Sequence, residues 1–341
     1  MNKNKVSACG GCAKKTSIGG QALIEGIMMR GPEYSAMAVR DPNGEIILEK
    51  WETKAKFNAK FFKLPFVRGI FNFIDSMSSG YKCLMRSAEI AGFEDEEPAK
   101  AKKSEIDVDA AASAEACDKE VTKETSGISQ VGMNILMGIS AVLGVLLAVG
   151  LFVLLPTFLY DMLEKVVPVF RGNRFLQSLF EGVFRIVLFL IYMLLVSRMK
   201  DIRRTFMYHG AEHKTIFCYE HGQPLTVENV RNERRFHPRC GTSFMVLMLL
   251  VGIVVGMFIP ASLPTLLRTA IKILLLPITV GIGYELIKLA GRHDNVFTRA
   301  ISQPGMWFQR ITTVEPDDDM IECAIKAFVE VLPEDEKQSD W

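Results

Sequence analysis

Two histidines and a glutamate stand in the order H-x-x-E-H at His209-Gly210-Ala211-Glu212-His213. If the stretch is helical, the i,i+4 imidazoles share one face and can grip a single cation. Glu212, one position before His213, is placed to handle protons from activated water, as in inverted zinc-protease motifs. A second half-site follows at His237-Pro238-Arg239-Cys240, which adds an imidazole and a thiol with metal-compatible chemistry. The four metal-ligand candidates are therefore His209, His213, His237 and Cys240, and the ion they suit is Zn²⁺ or another divalent metal. A closed set of protein ligands favours a structural ion, whereas fewer ligands plus water favour catalysis. Helix capping, interfacial hydrogen bonding and a plain buried thiol are the competing roles for the same residues.

Weaker candidates surround these. Glu220, His221 and Glu228 follow closely enough to add a ligand or a proton relay. His293 and Asp294 are candidate catalytic groups: Asp294 can orient an imidazole, and His293 can take a proton. A polar turn at a helix end uses the same residue types. Cys9 and Cys12 have C-x-x-C spacing, half of a zinc site or a redox pair, in a terminus equally suited to disorder. Gln21, Glu25 and Arg30, in a glycine-rich stretch without nucleotide-binding spacing, either hold a polar ligand or brace a domain.

The elements that must position these groups are membrane helices. Hydrophobic residues make up 49% of the 341 and gather into blocks, which predicts a mainly α-helical multipass protein. Four spans are expected, at 134–158, 179–197, 243–260 and 270–290. Glu181 and Arg185, four apart, are expected to pair on one helical face. Four spans put both termini and the 198–242 connection on one side. The cluster of Arg and Lys in that connection makes that side cytoplasmic, in a cell membrane. The basic residues suit anchoring to anionic lipid more simply than binding another polyanion. With 40 basic and 39 acidic residues, no global nucleic-acid signature exists. The partners expected are membrane lipids and a membrane-protein complex.

The chain divides into a Cys-containing terminus (1–17), a small α+β cytoplasmic or interfacial domain (18–92) and an acidic linker (93–128). A first transmembrane hairpin (129–197), the His/Cys loop (198–242) and a second hairpin (243–290) follow. A cytoplasmic C-terminal region (291–333) and a flexible tail (334–341) complete it. Within 18–92, turn signals at Gly31-Pro32 and Asp41-Pro42-Asn43-Gly44 frame a β-hairpin, with strands at 36–40 and 45–49. The apolar but charge-interrupted 61–91 segment reads as an interfacial helix or as a buried one. The 317–332 stretch predicts a helix capped by Asp317.

Five stretches carry a resemblance to the YqhQ-like family of bacterial integral membrane proteins. They are GGQALIEGIMMRGP at 19–32, YHGAEHK at 208–214, RFHPRCGTSF at 235–244, ELIKLAGRHDN at 285–295 and QPGMWFQRITTVEPDDDMIECAIKAF at 303–328. The resemblance covers most of 18–333. It implies a metal-dependent enzyme of undefined substrate, with His209, Glu212, His213, His237 and Cys240 as the matching site residues and His293 and Asp294 as further ones. The expected function is a divalent-metal-dependent, hydrolase-like membrane enzyme acting at the cytoplasmic interface. The alternatives are a non-enzymatic scaffold or insertion factor with a structural metal, and a transporter.

Overall fold

The computed structural model describes residues 15–53, 62, 64–92, 130–293 and 295–333. The C-x-x-C pair, the acidic linker, Asp294 and the last eight residues lie outside them. The chain is mainly helical, with one small antiparallel sheet near its beginning.

That sheet has four strands in sequential order: β1 Gly19–Leu23, β2 Gly26–Arg30, β3 Tyr34–Arg40 and β4 Ile46–Glu52. The expected hairpin is the β3–β4 pair, with Arg40 opposite Ile46. Its turn is held by the Asp41 carboxylate, which accepts from the backbone of Asn43 and Glu45, and by Gly44 at φ 88°. The glycine-rich 19–31 stretch, read from sequence only as a packing or ligand segment, forms the other hairpin. Glu25 sits in its turn at φ 50°, where a residue with a Cβ is uncommon. Its carboxylate is anchored by Arg204 and by the Tyr208 hydroxyl, so the turn is fastened to the helix carrying the histidines. Arg30 pairs with Asp75 at 2.9 Å. These contacts favour the bracing role for Glu25 and Arg30.

Strand alternation splits the apolar residues between two faces. Leu23, Met28, Met37 and Val39 pack with Cys83 of α1 (Val67–Ile90). Ile27, Met29, Ala36 and Ala38 join the larger core made with α5 (Lys200–Glu220) and α11 (Asp318–Glu330). The sheet is therefore covered on both sides. Of the two readings of 61–91, α1 combines parts of each: Gly80, Cys83 and Ser87 are buried, while Ile74, Met77 and Tyr81 are exposed. Asp317 is at the N-cap of α11 but makes no side-chain cap bond; its carbonyl accepts from Met320 and Ile321 instead.

The apolar helices form a separate layer. α2 (Gln130–Val149) continues through a π-helical turn, Gly150–Leu154, into α3 (Leu155–Val166). α4 (Arg174–Val196) returns, capped by the Asn173 side chain. Val142–Val166 and Arg174–Val196 are long and apolar enough to cross a membrane. α8 (Thr265–Leu274) and α9 (Leu276–Arg292) qualify as a third candidate only if the pair, bent by 44°, is one span. α7 (Gly241–Gly256) is apolar but shorter. The helix covers the expected 134–158 and runs on to Val166, because the π turn lets it pass Pro156.

The expected Glu181–Arg185 pair does not form. Glu181 instead takes Lys272 and Gln177, while Arg185 Nε donates to the Phe152 carbonyl at 2.6 Å. Distant partners on other helices outcompete the i,i+4 neighbour. α6 (Val227–Asn232) and α10 (Val296–Thr312) complete the described helices; α10 packs along α7, with Gly305 against Ser243.

Candidate metal centre

α5 is polar in composition yet buried through Met207–Ile216, because the sheet and α11 enclose one side and the 235–243 loop and the end of α10 the other. Gly210 makes this possible. The Val314 carbonyl lies where its Cβ would be, and Val314 N–H in turn bonds Phe206 O at 2.9 Å. Gly210→Ala is therefore expected to push the 313–316 segment off α5 and lower the thermal midpoint, by about 1–3 kcal/mol of stability. A melting curve superimposable on that of the unaltered protein would contradict this packing.

On that buried helix His209 and His213 lie one turn apart, with ring centroids separated by 4.4 Å. Cys240, at the N-cap of α7, approaches from the opposite side, and its Sγ is 3.1 Å from His209 Nε2. Ligand atoms of His209, His213 and Cys240 all lie within 4.8 Å of one another, and all three residues are buried. Each histidine directs Nδ1 at a main-chain carbonyl: His209 at Thr312 O, 2.8 Å, and His213 at Arg235 O, 2.5 Å. A carbonyl only accepts, so each Nδ1 carries a proton and each Nε2 is turned inward, where it offers a lone pair to a cation once it carries no proton of its own.

Charge follows from this placement. Burial opposes an ionised Cys240, but His209 and His213 more than compensate and hold its pKa well below the ordinary thiol value. The positive end of α7 acts in the same sense. Burial likewise opposes a charged His209, yet the adjoining sulfur raises that imidazole to about 9. Glu212 is held above the usual carboxyl range by burial, partly opposed by the two histidines. One of its oxygens accepts from Gly20 N–H at 3.0 Å, and the other is buried without a partner. A Cβ on Gly20 would come 2.6 Å from Met28 O and 3.0 Å from the Glu212 carboxyl carbon, so glycine lets β1 lie between β2 and α5.

The donor set fits a divalent cation. His213 Nε2 is buried with no hydrogen-bond partner, an expensive state for an inward lone pair unless something binds it. Two imidazole nitrogens and a thiolate are a three-ligand set that leaves a fourth position free.

His237 is close by but turned away. Its ring is 5.6 Å from that of His213, while its Nε2 is 3.2 Å from the Arg239 guanidinium, which can only donate. Among the described residues it is not one of the three whose ligand atoms converge. Burial, opposed in part by Glu220, pushes its pKa down to about 4, so it is neutral. A free histidine titrates near 6.5, so neutral His237 contributes stability that is complete above about 6.5 and falls away toward pH 4. Thermal melts between pH 7.5 and 4.5 are expected to show a shallower acid loss in His237→Asn than in the unaltered protein. Parallel curves would refute the assignment.

Glu220 is buried against Arg239 and Thr16 N–H, below its ordinary pKa despite burial, whereas His221 and Glu228 are exposed, His221 pairing with Glu233. His293 is an exposed C-cap of α9. Its carbonyl accepts from Thr298, which favours the helix-end role for it.

Sequence reasoning missed Gln309. Fully buried, it accepts from His237 N–H and donates to His237 O, both at 2.7 Å, and also donates to Ser243 Oγ. It thereby clamps both ends of the loop that presents Cys240. Gln309→Leu is expected to leave His237 N–H unpaired, at about 1–3 kcal/mol, and His237 O with only the 3.4 Å contact from Cys240 N–H. The measurable result is a lower melting temperature together with faster alkylation of Cys240; unchanged values for both would exclude the clamp.

The family described as "Protein of unknown function (DUF1385)" matches residues 64–334. The chain is also 35% identical over 336 residues to the uncharacterized protein YqhQ of Bacillus subtilis (strain 168), covering 97% of this chain and 95% of that protein. No solved structure matches it.

Proposed function

This chain belongs to the DUF1385 family of YqhQ-like proteins, and we propose that it is a divalent-metal-dependent, hydrolase-like membrane enzyme. The observation that carries the reading is the convergence of His209, His213 and Cys240, with His213 Nε2 buried and unpartnered. These three residues hold the cation, with Zn²⁺ the best match to the nitrogen and sulfur donors. A cation held there would supply Lewis acidity, which polarises an oxygen and lowers the pKa of water. Glu212, whose second oxygen has no partner, accepts the proton of the attacking water and returns it to the leaving group. Gly20 N–H fixes the other oxygen and so the direction in which the carboxylate points. Thr312 O and Arg235 O hold the imidazoles in the correct tautomer.

In the membrane, α7 and the bent α8–α9 pair act as the second hairpin, giving four spans with both termini on the cytoplasmic face. The basic residues of the 198–242 connection support that orientation. The centre then lies at the cytoplasmic interface, where peptide or lipid-derived substrates are accessible.

A second reading is favoured by one observation: the three ligand residues are enclosed. A structural ion in a non-enzymatic scaffold for a membrane-protein complex makes use of such enclosure. Metal analysis of full-length protein purified without added chelator tests both. About one zinc per chain is expected, with an open coordination position visible by X-ray absorption. Absence of metal would end both readings, and saturation by four protein ligands would leave only the structural one.

A further inference from the structure

A cavity of about 370 Å³ lies between α4, α7 and the α8–α9 bend, away from the metal centre. Its walls are largely apolar, among them Phe152, Phe189, Met245, Met248 and Leu276, but Arg185, Glu181 and Lys272 also face it. Arg185 is eleven residues into α4, about 16 Å along the helix, near the middle of a candidate span. A cation at that depth is costly and marks a functional position by default.

The way Arg185 is held is specific. Pro156 has no N–H, so the turn of helix before it has one backbone donor too few for its carbonyls. Arg185 Nε donates to one of those carbonyls, that of Phe152, at 2.6 Å. Its Nη2 is buried with no partner at all. The neighbouring charges do not supply one. Both oxygens of Glu181 are engaged, one by Gln177 and the other by Lys272, and Asp161 is engaged by Arg268 and Thr265. Three cations (Arg185, Lys272, Arg268) thus meet two acids (Glu181, Asp161), and the surplus positive charge is on the cavity wall.

We propose that this cavity binds a single-chain amphiphile with an anionic headgroup, its carboxylate or phosphate on Arg185 and its hydrocarbon chain along the apolar wall. A guanidinium fork matches either oxyanion, and an anion there supplies the missing charge. The apolar wall excludes a small hydrated anion as a sufficient occupant, since it would leave most of the cavity lined by hydrocarbon and empty. The volume falls in the usual range for small-molecule sites of roughly 300–1,000 Å³. The site does not depend on the metal-centre reading, and its test involves no hydrolysis.

Full-length protein, delipidated in a neutral detergent, is titrated with palmitate, palmitoyl lysophosphatidate and neutral monopalmitoylglycerol, with occupancy read by native mass spectrometry. One anionic amphiphile per chain is expected to bind saturably, and monopalmitoylglycerol at least about tenfold more weakly. The ranking of palmitate against lysophosphatidate distinguishes a free fatty acid from a phospholipid-derived ligand. Arg185→Met is expected to lower anion affinity about tenfold and leave monopalmitoylglycerol unchanged. Gly252→Leu provides a second arm: a Cβ there meets no atom within 4 Å, so the side chain extends into the cavity and blocks all three ligands. If Arg185→Met does not fold, that variant decides alone. Equal binding of the neutral lipid, or palmitate binding unaltered by Gly252→Leu, overturns the proposal.

Discussion

Glu212→Gln is expected to keep its full complement of metal while losing hydrolytic turnover by about 10²–10⁴-fold, the usual contribution of a positioned general base. The substitution is nearly isosteric and retains an oxygen for Gly20 N–H, so the packing of β1 against α5 should persist. It removes the capacity to accept a proton at the oxygen that has no other partner. Turnover is followed with metal-loaded protein against membrane lipid extracts and a peptide library, products being identified by mass spectrometry. Metal retained and cleavage lost is the result that a catalytic centre requires. If cleavage persists in Glu212→Gln, Glu212 is not the general base; if the unaltered protein cleaves neither class while holding a fully coordinated ion, the centre is structural. The scaffold reading predicts instead that Glu212→Gln recovers the same membrane-protein complex as the unaltered chain.

His213→Ala is expected to be the more destructive change. It removes one of the three proposed ligands, and metal affinity should fall by at least about 10²-fold, beyond the 10–100-fold typical of losing only a supporting partner. Because metal binding to such a site contributes to folding free energy, the variant should also melt at a lower temperature, and chelator should not lower it further. Cys240→Ser should behave similarly, since a neutral hydroxyl replaces the thiolate donor. His237→Asn serves as the control: its Nε2 accepts from Arg239, outside the converging set, so metal stoichiometry should be retained. Loss of metal in His237→Asn but not in His213→Ala would invert the assignment. Competition titrations with a chromophoric chelator give all four affinities directly.

Much of the site's chemistry is local and was therefore legible. A spacing of four on a helix brings His209 and His213 to one face wherever that helix sits, and the adjacent Glu212 follows with them. The β3–β4 hairpin was equally readable, because its turn residues hydrogen-bond within five positions of one another. Apolar blocks marked the helices long and apolar enough to cross a membrane, but not their ends, since Pro156 looks terminal until the π turn accommodates it. The β1–β2 hairpin escaped notice because its turn residue, Glu25, is stabilised by Arg204, which lies 179 positions away.

The sequence by itself determined the inventory: a helix with two histidines and a glutamate in register, a half-site containing Cys240, and apolar segments to carry them. Only the tertiary structure decided which groups meet. Cys240 reaches His209 across 31 positions, Thr312 O orients that imidazole across 103, and Gly20 N–H fixes Glu212 across 192. It also separated His237 from the ligand set, through its neighbour Arg239, and Arg185 from Glu181, through Pro156 and Lys272. The physical reason is that a buried polar atom takes whatever partner the packed chain brings within about 3 Å, and distance along the sequence does not limit that choice.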